Sequence, residues 1–294
     1  MNGVIKDYRD EITRRIIEAI KAGTAPWQKP WDGSGAPCNA ISKRQYSGIN
    51  AVTLAMHGLK IDECRDPRWA TFLQAKQQGW TIKKGAKGIQ VILWKPFEAR
   101  PKDDDDEDTK PKQIFLQRVF TVFHASQIEG IGEYQPPVKN EIELCAEAER
   151  IITASGAEIH YGGDRGCYFP GDDFIQLPER ERFYSSAGYY STALHELVHW
   201  TGHKSRLNRK QSTSRYSKEY AFEELIAEIG SMFISAATGI PQTEENFQND
   251  AGYVSSWLER MTDDSNVIFK AAAEASKAAD FVLNAGMKEE HSNV

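Results

Sequence analysis

The feature that most constrains this chain is the pentad His195-Glu196-Leu197-Val198-His199. Residues four apart on an α-helix share one face, so a helix here brings both imidazoles to one point. Two imidazoles at that spacing can hold one metal ion. Glu196 stands beside them, where a carboxylate can take a proton from a metal-bound water. Such a site needs a third ligand from elsewhere, so a second element must pack across the first. The pentad also arises by chance in unrelated helices, and its weight comes from the sequence downstream.

Residues 221–237 read AFEELIAEIGSMFISAA. Phe222, Leu225, Ile226, Ile229 and Phe233 recur at helical spacing, and Glu224 and Glu228 share one face of that helix. H-E-x-x-H is the signature of zinc peptidases, and the second helix resembles the gluzincin arrangement. There the first acid of an E-x-x-x-[DE] pair binds the metal and the second orients a metal-bound histidine. That match makes His195, His199 and Glu224 the metal ligands, Glu196 the general base and Glu228 the orienting carboxylate. The metzincin pattern H-E-x-x-H-x-x-G-x-x-H fits Gly202, but its last position is Ser205, with His203 two residues early. The plain alternative makes Glu223, Glu224 and Glu228 a solvated helix face, and the neighbouring pentad argues against it.

Three protein ligands leave a fourth position for water, as in catalytic zinc sites. One divalent ion is expected, zinc first and manganese second, because His₂Glu sites accept several ions. Tyr216, Tyr220 and His203 are equal candidates for a donor to a developing oxyanion. Residues 173–177 (DFIQL) read as a short strand. It could pair with an extended peptide substrate or be an ordinary sheet edge.

The 294 residues favour two domains. No apolar run approaches the ~20 residues of a membrane span, and the N-terminus has no apolar signal-peptide core. A cytoplasmic protein without a membrane partner is expected. Cys38, Cys64, Cys145 and Cys167 are scattered, without a C-x-x-C pair, and are expected to be free thiols. The net charge of −6 hides an asymmetry. Residues 1–100 hold 17 Lys+Arg against 9 Asp+Glu, and the remainder is strongly acidic. The basic half is where a polyanion would bind.

Apolar spacing predicts helices over 4–22, 50–56, 69–78 and 141–155, with later helices over 250–260 and 264–284. Residues 89–94 and 114–124 read as strands, with short strands at 158–161 and 167–169 before residues 173–177. Six adjacent acids, 103–108, lie between the two long strands and are expected to form an exposed excursion near 100–112. Residues 128–140, with Gly130, Gly132, Pro136 and Pro137, are the linker candidate. The expected division is residues 1–127, a linker at 128–140, and a second domain at 141–288.

The first of these domains carries the marks of single-strand binding. Trp27, Trp31, Tyr46, Trp69, Trp80 and Trp94 are interleaved with Lys29, Lys43, Arg44, Arg68, Lys83, Lys84 and Lys87. Aromatics stack on bases and cations track phosphates. Trp27-Gln28-Lys29-Pro30-Trp31 and the Lys83–Lys87 loop are the strongest candidates. Tryptophans in a domain of this size are mostly core, so at least half of these six aromatics are expected in packing.

The two halves together resemble a family. APWQKPW, SKRQYSGIN, DPRWATFLQAKQQGW and KKGAKGIQVILWKPF resemble the ssDNA-binding domain of plasmid antirestriction proteins of the ArdC type. A related domain opens the TraC primases of conjugative plasmids. STALHELVHWTGHKSRLNR and YAFEELIAEIGSMF resemble the metallopeptidase-like domain of the same family. The resemblance implies an α+β protein of two domains. The first is a basic, mixed α+β ssDNA-binding domain. The second is a mostly helical, zincin-like (gluzincin) metallopeptidase domain with a small sheet. It further implies binding of single-stranded DNA and protection of incoming plasmid DNA from restriction endonucleases. It does not extend to the acidic insert, and it leaves open whether the metal site cleaves a peptide or protein substrate.

Overall fold

The computed structural model describes residues 2–23, 25, 27, 35–61, 66–98, 113–135, 141–212, 214, 217–241 and 251–290. The acidic run 103–108, Lys29, Trp31 and Tyr216 lie outside the described residues. The chain divides into two compact units. Unit 1 comprises Met1–Pro37, Gln45–Asp66 and Gln135–Val294; unit 2 comprises Cys38–Arg44 and Pro67–Tyr134. A single cut near 128–140 therefore does not describe the packing. The N-terminal helices, expected with the first domain, group with the metal-site unit.

Unit 1 is mostly helical. Its helices are α1 (Asn2–Lys21), α2 (Gly48–Ile61), α4 (Glu141–Ser155), α5 (Ser186–Thr201), α6 (Lys218–Thr238), α7 (Ala251–Asp263) and α8 (Asn266–Glu290). Helix α8 packs against α2, α4, α5, α6 and α7. Its buried face is built from small residues, Ala271, Ala272, Ala275, Ala278 and Ala279, which let several helices approach one axis closely. Gly230 does the same on α6: a Cβ there would stand 2.9 Å from Val198 Cγ1 and 3.6 Å from the Ala275 carbonyl oxygen. The bare position brings α6 close to α5, and with it the glutamates of α6. Ser185 caps α5 by accepting the Gly188 N–H at 3.0 Å, and Ser217 caps α6 by accepting the Tyr220 N–H at 3.0 Å.

A three-stranded sheet packs on α5 in unit 1. Its strands are β7 (Glu158–Tyr161), β8 (Cys167–Phe169) and β9 (Phe174–Leu177), in the order β7-β9-β8. Strand β9 pairs parallel with β7 and antiparallel with β8. Both its edges are occupied, so the 173–177 segment cannot add a substrate strand. Strand β8 is the edge beside α5.

Unit 2 holds a four-stranded sheet of order β1-β2-β5-β4. The strands are β1 (Cys38–Asn39), β2 (Arg68–Thr71), β4 (Ile89–Glu98) and β5 (Gln113–His124). A two-stranded sheet pairs β3 (Thr81–Ile82) with β6 (Ile128–Glu129), and α3 (Phe72–Gln77) completes the unit. Strand β6 falls inside the expected linker. The expected helix 69–78 begins as strand through Thr71 and is helical only over Phe72–Gln77, because Thr71 ends β2 and caps α3. Its hydroxyl accepts the Gln74 N–H at 3.2 Å while the Gln74 side chain accepts the Thr71 N–H at 2.9 Å. Ala40, Ala70, Ala75 and Ile128 form a small core with Trp80, Ile82, Phe123 and Ile131 against it. Among the described residues, no helix is long and apolar enough to cross a membrane.

Candidate metal centre and nucleic-acid interface

Helix α5 aims His195 and His199 at α6. Their rings stand edge to face, 4.9 Å apart. Glu224 reaches them from α6: its Oε2 is 3.5 Å from His195 Nε2 and its Oε1 is 3.7 Å from His199 Nε2. The candidate ligand atoms of His195, His199 and Glu224 all lie within 4.8 Å of one another. Bonds of ~2.0–2.2 Å at tetrahedral angles separate neighbouring ligand atoms by roughly 3.3–3.6 Å. The Glu224 oxygens stand close to that spacing from both imidazoles, so the three side chains could hold one divalent ion. Burial alone would raise the Glu224 carboxyl, but the two imidazoles hold it below the usual carboxylate range.

Each imidazole has a further carboxylate behind it. Glu228 Oε1 lies 3.9 Å from His195 Nδ1, on the side of the imidazole where the gluzincin resemblance implies an orienting carboxylate. Burial pushes the Glu228 carboxyl up to about 7. His199 Nδ1 faces Glu223 Oε1 at 3.3 Å. Glu223 is in turn gripped by Arg209, whose Nε donates to Oε2 at 3.0 Å and whose terminal nitrogen donates to Oε1 at 2.6 Å. Arg209 also donates to Thr201 Oγ1 at 2.8 Å and to the Val198 carbonyl at 2.7 Å. Sequence reading gave Glu223 no role of its own. It is buried, and the run Glu223-Glu224 signals this only once Arg209 is known to reach it.

Glu196 is buried, and that burial raises its carboxyl above the ordinary value. It accepts a hydrogen bond from the Tyr168 backbone N–H on β8. Gly166, just before β8, keeps this approach open: a Cβ there would stand 2.6 Å from Thr192 Cγ2 and 3.3 Å from Glu196 Oε1. A clamp fixes this turn. Tyr168 Oη donates to Asp173 Oδ1 at 2.8 Å, and Arg206 Nη1 donates to Asp173 Oδ2 at 3.0 Å while its guanidinium stacks 3.8 Å over Trp200. Of the donor candidates, Tyr220 hydrogen-bonds Glu224, and its hydroxyl is raised by burial and by that carboxylate. His203 faces Asp173 at 3.4 Å and Ser205 at 2.8 Å.

The crystal structure of the antirestriction ArdC protein from plasmid R388, in its metal-free form, superposes with a TM-score of 0.77 at 38% identity, covering 96% of this chain and 98% of that one. The chain belongs to the ArdC antirestriction family. Residues 6–123 match the N-terminal domain of the anti-restriction factor ArdC, and residues 146–274 match the zincin-like metallopeptidase family MPTase-PolyVal. The Mn(II)-bound structure of the R388 ArdC protein gives a TM-score of 0.75 at 37% identity, with 95% and 97% coverage. A DNA primase TraC of Escherichia coli is 41% identical over 304 residues, which are 96% of this chain but 28% of the primase. An uncharacterized protein, y4eC, of Sinorhizobium fredii is 33% identical over 285 residues, 94% of this chain and 91% of that one. The chain thus spans little more than a quarter of the TraC primase and nearly all of an ArdC protein.

Burial corrects the expected DNA-binding set for this ArdC-family chain. Trp27 is fully buried and groups with unit 1, and Trp69 is 1% exposed, edge-on to His124 at 4.9 Å. Neither can stack on a base, because the apolar contacts that fold the chain already cover both rings. Trp80 packs on the small core of unit 2. Tyr46 is half-buried in unit 1. Lys43, Arg44, Lys83, Lys84 and Lys87 are exposed in unit 2. Two basic residues have structural duties: Lys83 Nζ donates to the Ser126 carbonyl at 2.7 Å, and Arg68 donates to the Gly132 carbonyl at 2.7 Å beside the Tyr134 ring.

Proposed function

We propose that this ArdC-family protein binds single-stranded DNA without sequence preference through unit 2. By occupying the strand in the cytoplasm, it shields incoming plasmid DNA from restriction endonucleases. The observation that carries this reading is the end-to-end likeness to an antirestriction protein. Unit 2 adds charge to it: Lys43, Arg44, Lys83, Lys84 and Lys87 are exposed, and Glu129 and Glu133 are its acids among residues with described side chains. Anisotropy of a labelled single-stranded oligonucleotide, competed with duplex across a salt series, tests it. Binding that favours single strands and weakens with salt is expected. Reversing Lys84 and Lys87 to Glu should weaken it further. Absence of binding at low salt would end this reading.

In this proposal His195, His199 and Glu224 hold one divalent ion, with zinc and manganese as the candidates. Such an ion, when bound, acidifies a water and polarises a carbonyl. Glu196 is the proton acceptor: its raised carboxyl, held by the Tyr168 N–H, takes a proton from a water at the site. Glu223 and Glu228 orient the two imidazoles.

The placement of Glu196 favours a second reading, in which the metal unit hydrolyses a protein and DNA binding supplies targeting. Glu196→Gln separates the two. Protection by occupancy survives this substitution. Protection by proteolysis is lost while DNA affinity stays unchanged.

A further inference from the structure

Unit 2 exposes apolar side chains that its fold does not need. Phe72 and Leu73, the first two residues of α3, are each 62% exposed, and Ile41 is 38% exposed. Ala75 is the residue that α3 itself buries. Adjacent exposed apolar residues of this size cost solubility and mark contact surfaces. They are also held rigidly. Asn39 Nδ2 donates to Gln74 Oε1 at 3.1 Å, and Gln74 closes the capping box with Thr71 at the start of α3. Asn39 Oδ1 accepts the N–H groups of Ile41 and Ser42, each at 3.0 Å. Its backbone closes the same turn, accepting the Lys43 N–H at 2.9 Å and donating to the Arg44 carbonyl at 2.9 Å. One network through Asn39 and Gln74 therefore fixes both the turn that presents Ile41, Lys43 and Arg44 and the helix start that presents Phe72 and Leu73. Lys76 is exposed one turn further along α3. Neither 39–44 nor 68–76 contains an acid.

We infer that Phe72 and Leu73, with Ile41 beside them, form the platform on which unit 2 receives unstacked bases, and that Lys43 and Arg44 hold the flanking phosphates. This rests on the single-strand reading above and names its site. An apolar surface rimmed by cations fits a polyanion whose apolar faces are open, which describes a single strand. A duplex keeps its base faces covered and offers only phosphates. The platform also answers a correction made above: Trp27 and Trp69, two of the tryptophans expected to stack, are buried, and the exposed ring of Phe72 takes their place.

The test uses the full chain and a labelled oligo(dT), with three variants. The double change Phe72→Ala, Leu73→Ala should weaken single-strand binding roughly 5- to 100-fold, the effect of losing base–aromatic stacking. It should leave the urea midpoint and the salt slope unchanged. Phe72→Tyr keeps a ring and should keep the affinity. Lys43→Ala with Arg44→Ala should lower the salt slope by about 1.4, the value for two phosphate contacts on a single strand. If the double alanine variant binds oligo(dT) as tightly as the parent does, the platform is overturned and single-strand binding stands. If the parent fails to bind oligo(dT) at low salt, the single-strand reading itself falls.

Discussion

The pair Arg209–Glu223 is buried, with side chains 5% and 7% exposed. Arg209→Met removes the guanidinium and keeps much of its apolar stem. Among the described residues, Glu223 then retains His199 Nδ1 at 3.3 Å and Gln211 Nε2 at 3.4 Å, and Thr201 Oγ1 and the Val198 carbonyl each lose a donor. Breaking a buried pair from one side costs about 3–5 kcal/mol, because the remaining charge stays desolvated. An exposed pair is worth under ~1 kcal/mol, so the two cases separate clearly. The assay is urea unfolding of the metal-free protein, followed by circular dichroism at pH 7 and again near pH 4.

The pH arm has a definite sign. Burial alone would raise the Glu223 carboxyl, but His199 and Arg209 outweigh it and lower it. Its stabilisation is therefore present above the unfolded value of ~4.3 and fades as pH falls below it. The gap between parent and Arg209→Met should be large at pH 7 and narrow in acid. Replacing both partners, Arg209→Met with Glu223→Leu, should recover most of the stability. It should still bind metal about 10- to 100-fold more weakly, since His199 has lost the carboxylate that orients it. An Arg209→Met protein within ~0.5 kcal/mol of the parent at pH 7 would refute the argument, because that is the behaviour of a surface ion pair.

Gly58 lies inside α2 with nothing within 4 Å of an added Cβ. Gly58→Ala should raise the unfolding free energy by ~0.5–1 kcal/mol, and a lower value would show a contact at that position. The Asp173 carboxyl is lowered chiefly by its hydrogen bond from Arg206, so its stabilisation exists above the unfolded value and is lost as pH falls. Asp173→Asn should destabilise the protein at pH 7, and its deficit against the parent should shrink as pH falls below the unfolded value of ~3.9; a deficit that does not change with pH would refute this. Burial pulls the His195 and His199 imidazoles down, but Glu224 and the other nearby carboxylates outweigh it and leave both raised. Titrating manganese or zinc into metal-free protein near neutral pH should then release protons. Calorimetry in buffers of different ionisation enthalpy reads this directly, and identical heats would count against it.

The metal helices were legible because one short pattern fixes their faces. His195 and His199 demand a helix, and Leu225, Ile226 and Ile229 set the buried stripe of the next one. Glu223 was not legible, because its partner Arg209 comes from the irregular segment between α5 and α6, and periodicity says nothing about such segments. The 69–78 reading failed at Thr71, whose hydroxyl ends a strand and caps a helix within one residue. The 173–177 segment was read as a strand, but a strand's own sequence does not say whether it lies at an edge or between neighbours. Trp27 and Trp69 show the same limit: basic neighbours, and for Trp27 a loop address, suggested a surface, and long-range packing buried both rings.

The chain passes through the metal unit before it builds unit 2, and this has consequences for dissecting the protein. A fragment of residues 141–294 looks like a complete metal domain in sequence, yet it lacks α1 and α2. Helix α2 packs on α8, buries Val52, Leu54 and Met56, and has its first N–H bound to Ser276 Oγ at 2.7 Å. Helix α1 packs on α7, buries Ile12, Ile16 and Ile20, and has Thr13 Oγ1 donating to the Ser265 carbonyl at 3.0 Å. Six large side chains at ~1.5–3 kcal/mol each amount to on the order of 10 kcal/mol, as much as the whole stability of a typical domain. The 141–294 fragment should therefore unfold without a cooperative transition and hold metal poorly. A chain with residues 67–134 replaced by a flexible linker keeps α1 and α2. It should unfold cooperatively, retain metal and lose single-strand binding. A sharp transition for the 141–294 fragment at the parent's urea midpoint would refute this account. In that case α1 and α2 would contribute nothing to the core they cover.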